Sequence, residues 1–130
     1  MSSIFTKIVT GEIPCYKIAE NDKFLAFLDV FPLVHGHVLV IPKKEIDYIF
    51  DIEDADLSEM MVFAKHVAKA LKQAVVCKRI GVAVIGLEVP HAHIHLVPMN
   101  SIGDINFTQA KLKPSQEELS QMAATIRSKF

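Results

Sequence analysis

With 130 residues the chain has room for one domain rather than two, and a domain of this size buries roughly two thirds of the surface its unfolded form exposes, so it needs no disulfide or metal to fold. A composition of 51% hydrophobic against 22% charged residues excludes intrinsic disorder. With 14 Lys and Arg against 15 Asp and Glu the net charge is -1, which argues against a general nucleic-acid or membrane-surface binder but leaves room for a small anionic ligand at one local site.

In chain order, Met1 to Lys7 has no basic stretch leading into an apolar run and so does not read as a secretory signal. No apolar stretch approaches the roughly 20 residues of a membrane helix, and the expectation is a cytoplasmic protein. Cys15 and Cys77 lie far apart with no CxxC pairing and are expected as free, half-buried thiols. Residues 3–9 predict a short helix with Ile4, Phe5 and Ile8 on one side, ended by Glu12-Ile13-Pro14. Two extended segments follow, about 15–20 and 23–29, joined by a turn at Glu20-Asn21-Asp22. After a loop from Phe31-Pro32 to Gly36, residues 37–42 read as a buried strand rich in β-branched side chains.

From Asp54 to about Val75 the apolar period becomes helical, with Met60, Ala64, Val67, Leu71 and Val75 in register. Asp51, Asp54 and Asp56 crowd its start, where acidic side chains cap free amides and meet the positive end of the helix dipole. Strands are predicted at about 79–85 and 91–97. A final helix is predicted over 115–129, with Ser115 and Glu118 as a capping box and Leu119, Met122, Ala123 and Ile126 as its stripe. The pattern predicts one α+β domain over 1–130, with a mainly antiparallel five-stranded sheet, one long helix, a short N-terminal helix and a C-terminal helical extension.

The histidines carry the chemistry. His91-Ala92-His93-Ile94-His95 alternates strictly, and in a strand that period would set three imidazoles on one face, roughly 6–7 Å apart. His35-Gly36-His37 stands at the mouth of another strand, while His66 falls on the long helix and reads as a surface or packing residue. Three readings fit the row: histidines merely bonded to neighbours, a metal site with a third ligand from elsewhere, or phosphoryl chemistry, in which imidazole attacks phosphorus and hydrogen-bonds phosphate oxygens. No Asp or Glu stands nearby at ligand spacing, which tilts the balance from metal to phosphorus.

His91-Ala92-His93-Ile94-His95-Leu96-Val97 matches the His-φ-His-φ-His-φ-φ signature, φ being apolar, of the histidine-triad (HIT) family of nucleotide hydrolases and transferases, and the chain resembles that family over residues 3 to about 98. Further blocks follow the family's order: Ile4 to Ile8, Glu12-Ile13-Pro14, Ala26 to Asp29, and Gly36 to Lys43. The similarity is greatest to its small nucleotide-binding, protein-kinase-C-interacting-protein-like branch. The resemblance implies a homodimeric five-stranded antiparallel sheet fold, a nucleotide substrate attacked at its α-phosphorus, a transient nucleotidyl-histidine and no cofactor. It makes His93 the nucleophile, His91 the residue whose backbone carbonyl orients that ring, His95 the holder of the α-phosphate oxygens and His37 a support at the leaving-group end. It assigns Asp29 to the ribose hydroxyls and Ile4, Phe5, Ile8, Phe27 and Val30 to the base pocket.

Two departures stand out. Val84 to Pro90 is about four residues shorter than the family's Asn-Gly-rich loop; Leu87 replaces a Gln on the leaving-group side, and Glu88 remains beside the phosphate site. Where some family members hold structural zinc with two Cys, a His and the first triad histidine, this chain has Ser3, Thr6, Glu45 and His91, so no metal is expected. The long helix also carries apolar residues beyond one stripe, including Met61 and Val62. That excess points to a two-fold homodimer or, alternatively, to cover by the C-terminal helix.

Overall fold

The computed structural model describes residues 2–130. Five strands, β1 (Lys17–Glu20), β2 (Phe24–Leu28), β3 (Val38–Pro42), β4 (Arg79–Ala83) and β5 (Ile94–Met99), form one antiparallel sheet in the order β1-β2-β3-β5-β4. Helix α1 spans Ile4–Val9, α2 Asp54–Ala74 and α3 Gln116–Arg127. This is the expected α+β architecture. Among the described residues no helix is long and apolar enough to cross a membrane, and Cys15 and Cys77 are free and half-buried.

β2 and β3 are apolar at every position because both sheet faces are covered. Phe24, Ala26 and Leu28 of β2, Val38 and Val40 of β3, and Ile94 and Leu96 of β5 pack with Met60, Ala64, Val67 and Leu71 of α2 and Leu119, Ala123 and Ile126 of α3. The alternate residues Leu25, Phe27, Leu39 and Ile41 meet Phe5 of α1 on the opposite face. The strand period of two sorts the same segments into a structural face and a second, smaller one.

Local signals set the joints. Asn21 Oδ1 accepts from the amides of Lys23 and Phe24 at 2.9 and 2.8 Å, closing the β1–β2 turn. Ser115 and Glu118 make the expected reciprocal capping box on α3. At the start of α2 the expectation fails: the N-cap is Glu53, and no side chain accepts from a helix amide there. Asp54 and Asp56 lie in the first turn and contribute only charge against the dipole. The last strand also begins later than expected. His91 N–H bonds Val89 O and Ala92 N–H bonds Ile46 O, and pairing with β3 starts only at Val40↔Ile94. His91 and His93 therefore lie on the lead-in to β5, held by loops instead of the ladder.

Gly36 has φ +90°, and a Cβ built there would stand 3.0 Å from Val75 Cγ2 and 3.4 Å from Leu71 Cδ1. The turn that delivers His37 thus demands glycine both for its left-handed backbone and for its closeness to the end of α2. Gly86, at φ +76°, has nothing within 4 Å of such a Cβ. Gly86→Ala should cost about 1–2 kcal/mol for conformation alone. Gly36→Ala should cost more, because Val75 must also move; urea unfolding of the two variants checks the order.

Candidate active site

Strand parity puts His37, Leu39 and Ile41 on the sheet face away from α2, and register pairs Leu39 with His95. His93 and His95 reach that same face, but the three histidines of the alternating motif are not equivalent. His91 is fully buried. Its Nε2–H donates to the Pro42 carbonyl at 2.7 Å, and its Nδ1 accepts from the Ser3 hydroxyl at 2.8 Å. With both nitrogens committed it is a clamp and offers no ring atom to a ligand. Its backbone carbonyl accepts from His93 Nδ1–H at 2.7 Å. A neutral imidazole has one proton, so this bond leaves the lone pair of His93 on Nε2.

The second pair is ordered by a backbone amide. Leu33 N–H donates to His37 Nδ1 at 3.1 Å, which fixes the proton of neutral His37 on Nε2. That Nε2–H donates to His95 Nδ1 at 2.9 Å, leaving His95 with a proton on Nε2. The rings of His93 and His95 meet edge to face, their centroids 4.8 Å apart. The site therefore presents one nitrogen lone pair beside one N–H donor.

Burial keeps this pair neutral, pushing His37 down to about 4 and His95 to about 3; proximity to His37 lowers His95 further, and Lys111 and the neighbouring His93 act on both in the same direction. Asp29 stands beside them, Oδ2 3.9 Å from His37 Nε2 and Oδ1 accepting from Phe31 N–H at 3.0 Å. Burial raises its carboxyl above the usual carboxylate range, while the Phe31 amide, Lys111 and His93 pull it back. Glu88, exposed on the shortened loop, adds to the raising.

Of the residues expected around a base, Phe5 and Phe27 are buried and meet edge to face at 5.6 Å, with Ile8 packed beside them. Phe5 also lies 5.0 Å from the His93 ring. Ile4 and Val30 stand apart from this cluster, 50% and 42% exposed. His66 is exposed on α2, and Leu87 is 88% exposed.

The residues present do not fit a structural zinc ion at Ser3, Thr6, Glu45 and His91. Ser3 N–H and Thr6 Oγ1–H both donate to Glu45 Oε1 at 2.6 Å, and Ser3 Oγ takes Nδ1 of His91. The set contains no thiolate, and its polar atoms already satisfy one another. Asp29, His37 and His95 place a ligand atom each within 4.8 Å of one another, but the two histidine nitrogens facing each other there are joined by a hydrogen bond. The alternating row itself makes no ligand set.

Three parts of the site have no sequence signature. The Leu33 amide and the Pro42 carbonyl are backbone groups, and Phe107 comes from an irregular segment after β5. Its ring caps His95 at 4.7 Å and His37 at 6.4 Å, excluding water from the pair. The same segment is tied down by Leu112 N–H to Pro32 O at 2.9 Å, close to Lys111.

Because folded His37 and His95 protonate below the 6.5 of free imidazole, the unfolded chain binds more protons between about pH 6.5 and pH 4, and stability must fall as pH drops through that window. Urea midpoints should decline from pH 7 to pH 5. Glu20 and Glu45, held down to about 2, lose their contribution as pH falls from about 4.5 to about 2. His37→Asn, which keeps an acceptor for the Leu33 amide, should flatten the decline.

Residues 10–102 match the HIT domain. The adenosine 5′-monophosphoramidase hnt1 of Schizosaccharomyces pombe is 35% identical over 133 aligned positions, covering 100% of this chain and 99% of that one. Among solved structures, a Hit-like protein involved in cell-cycle regulation from Bartonella henselae superposes with TM-score 0.86 at 29% identity, covering 99% of this chain and 96% of its own. A Zn-bound histidine triad family protein from Mycobacterium smegmatis gives TM-score 0.81 at 25% identity, covering 99% and 93%. With the domain match, the fold and the clamped histidine arrangement in agreement, the chain belongs to the HIT family.

Proposed function

We propose that the protein is a nucleotide hydrolase or transferase acting at the α-phosphorus of a nucleoside 5′-phosphate derivative, a phosphoramidate or a dinucleoside or mixed polyphosphate. The observation that carries this reading is the lone pair on His93 Nε2, left by the bond from Nδ1–H to the His91 carbonyl, beside the free Nε2–H of His95. Similarity to an adenosine 5′-monophosphoramidase along the whole chain supports the phosphoramidate class.

In the first step His93 Nε2 forms a bond to the α-phosphorus. The bond from phosphorus to the leaving nitrogen or oxygen breaks, and the leaving group departs with that electron pair and takes up a proton from solvent. The N–H of His95 meets the charge that develops on the phosphoryl oxygens. Water then attacks the same phosphorus and breaks the bond to His93, releasing the nucleoside monophosphate and restoring the lone pair. Covalent capture divides one difficult displacement into two easier ones. Asp29 is assigned to the ribose hydroxyls, which its carboxylate can accept from, and Phe5, Phe27 and Ile8 to the base, with Ile4 and Val30 at the rim. His37 holds the polarity of His95, and Glu88 is assigned a place beside the phosphate site.

A second reading, a nucleotide-binding or scaffold protein with little turnover, draws on Leu87, which is 88% exposed and brings no polar group to a leaving group. Single-turnover transfer separates the two. On adenosine 5′-phosphoramidate the wild type should gain one nucleotidyl group per chain and release AMP. His93→Ala should lose at least about 10³-fold in turnover while AMP binding stays within a few-fold. Unimpaired turnover in His93→Ala would overturn the assignment, and binding without transfer in the wild type would favour the second reading.

We further propose a cytoplasmic homodimer. Met61 and Val62 of α2 are 49% and 53% exposed, so α3 does not cover them. They line a groove of about 750 Å³ with Tyr48, Phe50, Ile85 and His93, next to β4 at the sheet edge. A second copy joined through α2 and β4 would bury this surface. Sedimentation should give twice 14.5 kDa, and Met61→Asp should shift the mass towards monomer.

A further inference from the structure

The cluster joining the start of α1 to His91 touches none of the substrate groups assigned above, yet it controls the peptide that orients the nucleophile. Glu45 Oε1 accepts from Ser3 N–H and Thr6 Oγ1–H, both at 2.6 Å. Because the Thr6 hydroxyl gives its proton to Glu45, the Ser3 hydroxyl is left as the donor to His91 Nδ1 at 2.8 Å. Ser3 Oγ in turn accepts from Thr6 N–H at 3.0 Å, the N-cap bond of α1. Ser3 Oγ also lies 3.4 Å from Thr6 Oγ1, so Glu45 fixes the Thr6 proton from the outer end, while the Pro42 carbonyl, which requires Nε2–H on His91, fixes the Ser3 proton from the inner end.

At its inner end the path leaves His91 one tolerable state. With Nδ1 accepting from Ser3, the ring proton is on Nε2 and faces the Pro42 carbonyl at 2.7 Å. The other tautomer would set two lone pairs against each other at Nε2, 2.7 Å from the Pro42 oxygen. A ring tethered at both nitrogens and fully buried cannot swing, and its own carbonyl is the acceptor 2.7 Å from His93 Nδ1. Phe5, two residues beyond Ser3, closes on both rings at 5.8 and 5.0 Å.

We propose that Ser3 and Glu45 are positioning residues for the reaction, acting through His91 to hold the His93 lone pair on its line of attack. Hydrogen bonds thus do the orienting at the four positions that do not fit zinc. The inference rests on His93 being the nucleophile, and its test separates the two claims. Nucleotidyl transfer from adenosine 5′-phosphoramidate is measured under single-turnover conditions, alongside AMP affinity by calorimetry and thermal unfolding.

Ser3→Ala should slow transfer about 10- to 100-fold with AMP affinity changed less than about threefold, since only the reacting geometry is disturbed. Ser3→Thr, which restores the hydroxyl, should recover most of that rate. Glu45 is exposed, so Glu45→Ala leaves the core intact, and it should show the same split between rate and affinity even where Ser3→Ala unfolds. Transfer at the wild-type rate in Glu45→Ala and in folded Ser3→Ala, or an affinity loss as large as the rate loss, would overturn the proposal. If His93→Ala still forms the covalent adduct, the underlying reading fails. If His93→Ala is inert while the Ser3 and Glu45 variants react normally, only this inference fails.

Discussion

The hydrogen bond from His93 Nδ1–H to the His91 carbonyl, 2.7 Å long, is the constraint on which the site depends. Imidazole in water exchanges its proton between two nitrogens, and either can be the nucleophile. Here one nitrogen is committed to a carbonyl that cannot move, because the ring of the same residue is tied to Pro42 and Ser3. The other, Nε2, is left with the lone pair. No charged partner is required for this activation, and burial keeps His91 below the ordinary imidazole range, neutral at physiological pH.

Across the site the same logic runs in the opposite sense. The Leu33 amide orients His37, and His37 orients His95, so that a donor stands where His93 presents an acceptor. Desolvation under Phe107 holds both rings neutral, and a fixed N–H dipole needs no reorganisation when charge develops on a phosphoryl oxygen. Asp29 is drawn two ways, upwards by burial and downwards by the Phe31 amide, Lys111 and His93. A carboxylate poised between those influences suits a group that accepts from neutral hydroxyls.

Much of this was legible in the chain. Short apolar runs bounded by turn residues marked β2 and β3, the alternating histidines marked β5, and Ser115 with Glu118 marked the third helix because capping is local chemistry. Parity placed His91, His93 and His95 on one face, and His37 joins the last two only through the register of β3 with β5. Parity also implied three equivalent imidazoles, and that is where it stopped: the ladder begins at Ile94, and His91 turns under α1. The partners that assign each proton are the Leu33 amide, the Pro42 carbonyl and a serine 88 positions away, and none of these leaves a periodic trace. Phe107 escaped for the same reason, since its segment has no regular structure to carry a pattern. Glu53 took the N-cap of α2 without a capping bond because acidic crowding supplies charge whether or not a side chain turns back to the amides.

The most direct test of the account is the ring tautomer of each histidine, read from long-range nitrogen–proton correlations of ¹⁵N-labelled protein at pH 7. The account predicts His93 protonated on Nδ1 with an unprotonated Nε2, and His37, His91 and His95 each protonated on Nε2. Finding His93 with its single proton on Nε2 and a bare Nδ1 would contradict it.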